Sequence, residues 1–201
     1  MGLFDWLTGK KDEKVEIAED RIWLTQQAKI AGIRKEVGQA VADPAGPQAV
    51  IVVAHFQDCL EQIRTAFVGF DGDRVLVTLA EALAGHTPAN LPLDETRYML
   101  IIVGERHPLL SHDEVVLDFA RLLPCHCRIV YHGAFDDPLI KRFQGEWIKG
   151  VLQKVGMKED EAVQSHMVSR RIQVLLKKIE QTTRGDSAAN SAEEWLERNW
   201  L

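Results

Sequence analysis

Four short apolar runs punctuate the chain. They are Ala49 to Ala54 (AVIVVA), Arg74 to Leu79 (RVLVTL), Tyr98 to Val103 (YMLIIV) and Cys127 to Tyr131 (CRIVY). Each has strand length, and the wholly apolar, β-branched first run is the mark of a strand covered on both faces. Helical patterns separate them, over Gln57 to Phe67, weakly over Glu81 to Ala84, and strongly over Ser111 to Leu122. Buried strands alternating with helices predict a mainly parallel sheet in βαβ units. Residues 85–97, with Pro88 and Pro92, read as a loop. Upstream, Ile22, Leu24, Ala28, Ile30, Ile33 and Val37 recur at helical spacing, so a lead-in helix is predicted from Glu16 to Val41. Asp43-Pro44-Ala45-Gly46-Pro47 stops it.

Beyond Asp136 the period stays helical. Leu139, Ile140, Phe143, Trp147, Ile148, Val151 and Leu152 describe one broad apolar face that ends near Gly156. A second helix is predicted from about Asp160 to Glu180, with Val168, Ile172, Leu175 and Ile179 inward and Arg170, Arg171, Lys177 and Lys178 as a basic stripe. The polar stretch 181–190 reads as a mobile linker. Ser191-x-x-Glu194 is a capping box that opens a last short helix carrying Trp195 and Trp200. The expected organisation is an amphipathic segment and lead-in helix over 1–44, an α/β domain over 45–136, and a helical appendage over 137–201. Its apolar residues predict that the appendage packs back on the α/β domain.

Composition narrows the class. Of 201 residues, 46% are hydrophobic and the formal net charge is only −6, which excludes disorder for the bulk of the chain. No apolar run approaches the roughly 20 residues that span a bilayer. The first residues lack a basic stretch ahead of an apolar one, so no signal peptide is expected. Three cysteines point to a reducing compartment. An acidic balance argues against nucleic acid as a partner. Residues 137–180 stand apart, with nine Lys/Arg against six Asp/Glu. A cytoplasmic protein follows, with membrane contact confined to peripheral docking of residues 1–11 (MGLFDWLTGKK) at the inner face.

Catalytic signatures are sparse. Thr8 to Lys11 (TGKK) resembles the end of a phosphate-binding loop, but no strand precedes it and Lys11 stands where a magnesium-holding Ser/Thr belongs. Gly69 and Gly72 make no dinucleotide fingerprint, and neither a nucleophile elbow nor H-E-x-x-H occurs. Ser111-His112-Asp113 has triad residue types, yet triads assemble in space, and Ser111 reads as a helix N-cap. Cys125-His126-Cys127 with His132 has zinc-ligand types at a spacing tighter than the usual knuckle, so buried thiols are expected and no metal.

The stretch Asp136 to Glu180 resembles a segment of the SecA family, the motor ATPases of bacterial protein secretion. The shared residues are Asp136-Asp137, Leu139-Ile140, Arg142-Phe143, Gly145-Glu146, Ile148, Gly156-Met157, Glu159-Asp160-Glu161, Met167-Val168, Arg170, Ile172 and Glu180. Upstream, Asp20-Arg21-Ile22-Trp23-x-Thr25…Ala28-Lys29 is similar to that family's lead into its second nucleotide domain. Val50 to Phe67 resembles the domain's first strand and helix. Val77-Thr78-Leu79-Ala80…Ala84-Gly85 resembles V-T-I-A-T-N-M-A-G-R-G-T-D, and Val103-Gly104-Glu105-Arg106-His107 resembles V-I-G-T-E-R-H. The resemblance implies a RecA-like three-layer sandwich followed by the start of a helical scaffold.

The departures bear on function. Where the family has Q-L-R-G-R-A-G-R-Q-G-D, this chain reads Leu117-Asp118-Phe119-Ala120-Arg121-Leu122-Leu123-Pro124, which keeps only Arg121. In the A-G-R-G-T-D loop the arginine position is His86, and no aspartate follows Thr87. Phosphate stabilisation needs fixed guanidinium charge, which a histidine and Leu-Leu-Pro do not supply. The other RecA-like domain, with its Walker A loop, has no counterpart here. The expectation is a non-catalytic, SecA-like binding or regulatory module without a resident cofactor, ATP or ADP being the ligand that the resemblance would bring. Two alternatives stand beside it: a weak ATPase completed by dimerisation, and a scaffold with no translocase link. Candidate nucleotide or partner contacts are Gly85, His86, Thr87, Glu105, Arg106, His107 and Arg121. For Glu105-Arg106-His107 the competing reading is an Arg–Glu pair that fixes the loop. Candidate partner-face residues are Lys141, Arg142, Trp147, Lys149, Arg170 and Arg171, suited to a protein partner such as a translocase component or a second copy.

Overall fold

The computed structural model describes residues 14–70, 73–84, 93–142, 145–154 and 156–200, with the side chains of residues 145–147 left out. Its centre is a seven-stranded sheet. The strands are β1 (Val15–Ile17), β2 (Arg21–Trp23), β3 (Ala49–Ala54), β4 (Val75–Leu79), β5 (Met99–Val103), β6 (Cys127–Ala134) and β7 (Ala162–Gln164). They run in the order β4-β3-β5-β6-β2-β7, with β1 beside the first half of β6 and β2 beside its second half. Every pairing is parallel except β2 with β7. The helices are α1 (Gln26–Ala42), α2 (Gln57–Ala66), α3 (Ala80–Leu83), α4 (Leu110–Leu122), α5 (Pro138–Lys141), α6 (Gly145–Lys154), α7 (His166–Thr182) and α8 (Ala192–Asn199). This is the three-layer α/β fold with a mainly parallel sheet and appended helices that the strand–helix alternation predicts.

Alternation along each strand divides the core. Val50, Val52, Ala54, Leu100, Ile102 and Val130 point to one face, where Ile33 and Val37 of α1 and Leu60 and Ile63 of α2 cover them. Ile51, Val53, Ile101, Val103, Ile129 and Tyr131 point to the other, under Val116, Phe119 and Ala120 of α4. A third cluster joins Ile22, Leu24, Phe56 and Phe135 at the carboxyl end of the sheet to Ile172, Leu176 and Ile179 of α7 and Trp195 and Leu196 of α8. Helices α7 and α8 thus share a core with the sheet, whereas Ile148 and Val151 of the apolar face expected on α6 are exposed.

Four sequence expectations are corrected. Residues 15–17 and 21–23 are short strands and not the start of a helix, because both pair along β6; α1 begins only after Thr25, whose hydroxyl accepts from the Ala28 N–H. The helix expected from Asp160 instead starts at His166, since Ala162–Gln164 is taken up as the antiparallel edge strand β7. Ser111 does not cap α4; Leu109 holds that position and Ser111 lies inside the helix. The sheet thereby draws strands from both sides of the span 45–136. The stretch expected as a mobile linker is tied down, because Asp186 accepts from the Trp195 indole and Asn199 bonds both the N–H and the carbonyl of Ser187. Among the described residues, no helix is long and apolar enough to cross a membrane.

Candidate functional site

In an open α/β sheet, ligands bind beyond the carboxyl ends of the strands. Here that edge carries His55 after β3, Glu105-Arg106-His107 after β5, and Gly133 to Asp137 where β6 ends. Gly104 lets α2 close over it, as a Cβ there would stand 2.7 Å from Ile63 Cδ1. A cleft opens between this edge and the appended helices, lined by Asp20, Glu105, Arg106, His132 and Asp137 together with Ile172 and Ala192. Its interior has room for about one water.

Arg106 is consumed internally. Its Nε donates to Asp20 Oδ1 at 2.7 Å, its Nη1 donates to Asp113 Oδ2 at 2.9 Å, and its Cζ sits 3.6 Å from the centre of the Tyr131 ring. Burial opposes its charge, but the Asp20 and Asp113 carboxylates outweigh that and hold the guanidinium more firmly protonated than usual. Asp113 also lies 2.9 Å from His55 Nε2. Burial pushes the Asp113 carboxyl up, yet the His55 contact and the Arg106 charge bring it below its ordinary value. The Arg–Glu pair considered from sequence is not formed. Arg106 instead joins the segment before β2 to α4.

Glu105 belongs to a neighbouring cluster with Lys29, Cys59 and Asp137. Lys29 Nζ donates to Asp137 Oδ1 at 2.8 Å, and Asp137 Oδ2 accepts from the Ala134 N–H at 2.7 Å. Burial is the largest influence on Glu105 and, with the nearby Asp137 and Asp58, lifts its carboxyl to about 8 despite the opposing pull of Lys29. A folded-state value above the ordinary 4.5 means that this group favours folding most at low pH, and that this contribution fades as pH rises from about 4.5 to about 8. The isosteric Glu105→Gln should therefore gain stability relative to wild type at pH 8.5 and gain little at pH 5. Urea titrations of both proteins at the two pH values check this; equal differences at both would contradict it.

A histidine cluster completes the edge. His107 stacks on His112 with ring centres 3.8 Å apart and meets Trp195 edge-on at 5.3 Å. Burial and the neighbouring His55 and His112 bring His107 down to about 3, so it is neutral at physiological pH. His112 Nε2 lies 2.8 Å from Asp186 Oδ2, and the Trp195 indole N–H donates to Asp186 Oδ1 at 3.0 Å. His107, His112 and Asp186 are the group among the described residues with donor atoms close enough for a metal ion. The geometry opposes that use: His107 Nδ1 accepts from the Leu109 N–H at 3.0 Å, which places the ring's proton on Nε2 and leaves no free lone pair. The three residues instead fasten the segment before α8 to α4.

The other candidates are dispersed. Gly85, His86 and Thr87 lie outside the described residues, as does residues 1–11 with its TGKK segment. Arg121 pairs with Asp118 at 2.9 Å and Glu114 at 3.4 Å in the last turn of α4. α4 starts at the carboxyl end of β5 and runs back along the sheet, so Arg121 sits toward the opposite edge from the cleft and does not join Arg106. Arg142 donates to Glu193 at 3.2 Å and Lys149 lies 3.8 Å from Asp136. Lys141, Arg170 and Arg171 are exposed, and nothing is described of the Trp147 side chain. Cys125 and Cys127 are buried thiols, and the Cys127 Sγ–H donates to the Ala120 carbonyl. His132 lies apart from them. It accepts from the Trp23 indole at Nδ1, and its Nε2 lies 3.1 Å from Glu36. The residues missed from sequence are Asp20, Lys29 and His55. Their signal was polarity where the apolar pattern leaves no place for it, as at Lys29 between Ala28 and Ile30.

No family model matches the chain. It is 31% identical over 112 residues to the protein translocase subunit SecA of Clostridium botulinum, covering 54% of this chain and 13% of that protein. Over 129 residues it is 29% identical to SecA of Parabacteroides distasonis, covering 63% of this chain and 12% of the relative. A 48-residue stretch is 40% identical to SecA 1 of Rhodopirellula baltica, covering 24% of this chain and 4% of that one. The chain thus spans about an eighth of the length of the first two relatives. Among solved structures it is similar to the C-terminal part of the Fun30 ATPase domain, with TM-score 0.43 and 11% identity, covering 76% of this chain and 53% of that one.

Proposed function

We propose that this chain is a non-hydrolytic, SecA-related module that serves protein translocation by contact with another protein. The observation that carries the reading is the fate of the charges at the carboxyl edge of the sheet. Arg106 is spent on Asp20 and Asp113, Lys29 is spent on Asp137, and the histidines pack against one another and Trp195. Phosphoryl transfer requires cationic groups aimed at the transferring oxygens. A guanidinium bound by two buried carboxylates is not free for that contact, and the adjoining cleft has room for about one water. The likeness to SecA supports the link to translocation.

The purified protein should release no phosphate from ATP and magnesium above the buffer rate, either dilute or concentrated enough to favour dimers. Turnover that follows the chain through successive columns and vanishes in His86→Ala or Arg121→Ala would overturn the reading in favour of an ATPase completed by dimerisation.

A further inference from the structure

Helix α7 shows one face to the protein and a different chemistry to solvent. Ile172, Leu176 and Ile179 are buried. On the outside, Met167, Arg171, Val174 and Lys178 follow one another at spacings of four, three and four, with Arg170 beside Arg171, a single ridge about 16 Å long. Met167 is 77% exposed and Val174 59% exposed. Arg170, Arg171 and Lys178 gather on this ridge of an acidic chain. Arg21, Arg106, Arg121, Arg128, Arg142 and Arg198 each reach a carboxylate. Arg170, Arg171 and Lys178 have no ion pair or hydrogen bond to a described residue through their side chains, although the chain holds 30 Asp/Glu against 24 Lys/Arg.

We propose that this ridge of α7 docks an acidic amphipathic helix of a partner protein. Met167 and Val174, seven residues and about 10 Å apart, form two apolar knobs that meet an i, i+7 apolar seam. Arg170, Arg171 and Lys178 flank the seam and meet carboxylates beside it. Opposite charge across such a contact sets orientation and speeds encounter, and it makes binding salt-sensitive. A lipid surface fits less well. Glu159, Asp160 and Glu161 are exposed just ahead of β7 and α7, so the chain leading into the ridge is acidic and disfavours an anionic bilayer. A single helix lying along α7 need not meet them. The inference rests on the contact function proposed above and supplies the place and chemistry of that contact.

The probe is a labelled peptide of about three heptads, with leucine at a and d and glutamate elsewhere, followed by fluorescence anisotropy with the full chain. Binding should weaken about tenfold or more in Arg170→Glu/Arg171→Glu and several-fold in Val174→Asp, and should weaken as salt rises past 0.1 M, where the screening length is about 10 Å. These side chains are exposed, so the variants should melt with wild type; Lys178→Glu is the substitute if the double variant does not. Four outcomes overturn the proposal: affinity unchanged by the substitutions, polyglutamate binding as well as the leucine-bearing peptide, binding to phosphatidylglycerol vesicles in place of the peptide, or a doubled mass in light scattering that the double variant abolishes. The last would mean a second copy of the chain. Phosphate release is measured separately, so loss of the non-hydrolytic reading and loss of this docking surface are told apart.

Discussion

Arg106→Ala should destabilise the protein by about 3–5 kcal/mol, the range for removing one partner from a buried ion pair. Two carboxylates, Asp20 and Asp113, would be left in a site that water scarcely reaches, and the Tyr131 ring would lose the guanidinium above it. The penalty comes from stranded negative charge more than from lost attraction, so it should depend on pH. Asp113 has a folded-state value below its ordinary 3.8, and its contribution is present above that value and lost as pH falls through the folded one. Removing Arg106 takes away one cause of the lowering. The variant should therefore suffer most near pH 7 and approach wild type near pH 3, where the Asp113 carboxylate can protonate. Arg106→Lys keeps a charge without the planar fork that spans two carboxylates, and should fall between. Guanidinium titrations of the three proteins at both pH values decide the matter. An Arg106→Ala midpoint equal to that of wild type at pH 7 would show that the network adds no stability, and would leave Arg106 free for ligand contact.

The same residue shows what the sequence could and could not disclose. Val103-Gly104-Glu105-Arg106-His107 was legible as a strand that ends in charged residues at the edge where ligands bind. Its chemistry was not, because the partners come from 86 residues upstream and seven residues downstream. Spacing alone cannot report a pair closed by the fold. The four main strands are visible because each is a short, largely apolar run; β3 and β5 are buried on both faces, while the edge strand β4 leaves Leu76 exposed. β1, β2 and β7 are not, since three residues are too few to display a period and their apolar positions also suit a helix. Lys29 sat in plain view within a helical pattern, and only the arrival of Asp137 beneath it explains why a cation is tolerated there. His86 and Arg121 were joined by resemblance to a nucleotide site; the direction of α4 carries Arg121 away from the carboxyl edge.

Trp195→Ala should cost about 3–5 kcal/mol, as for other buried aromatic truncations, which lowers the melting midpoint by about 6–20 °C for a chain of this size. Trp195 is 1% exposed and lies in the cluster that joins α8 and α7 to Ile22, Leu24, Phe56 and Leu109. Its ring meets His107 edge-on, and its indole N–H holds Asp186, which in turn holds His112 on α4. Truncation opens a cavity where three elements meet and unfastens the segment before α8 at the same time. Trp195→Phe keeps most of the apolar area and loses the hydrogen bond, so its cost should be nearer 1 kcal/mol. The shape of the transition matters as much as its midpoint. A core shared by the sheet and the appended helices predicts one cooperative transition for Trp195→Ala, shifted as a whole and identical by far-ultraviolet circular dichroism and tyrosine fluorescence. If α8 alone frayed while the sheet melted at the wild-type temperature, the helices would be a separable layer. The α7 ridge would then stand on a mobile support instead of on the rigid face that docking a partner helix requires.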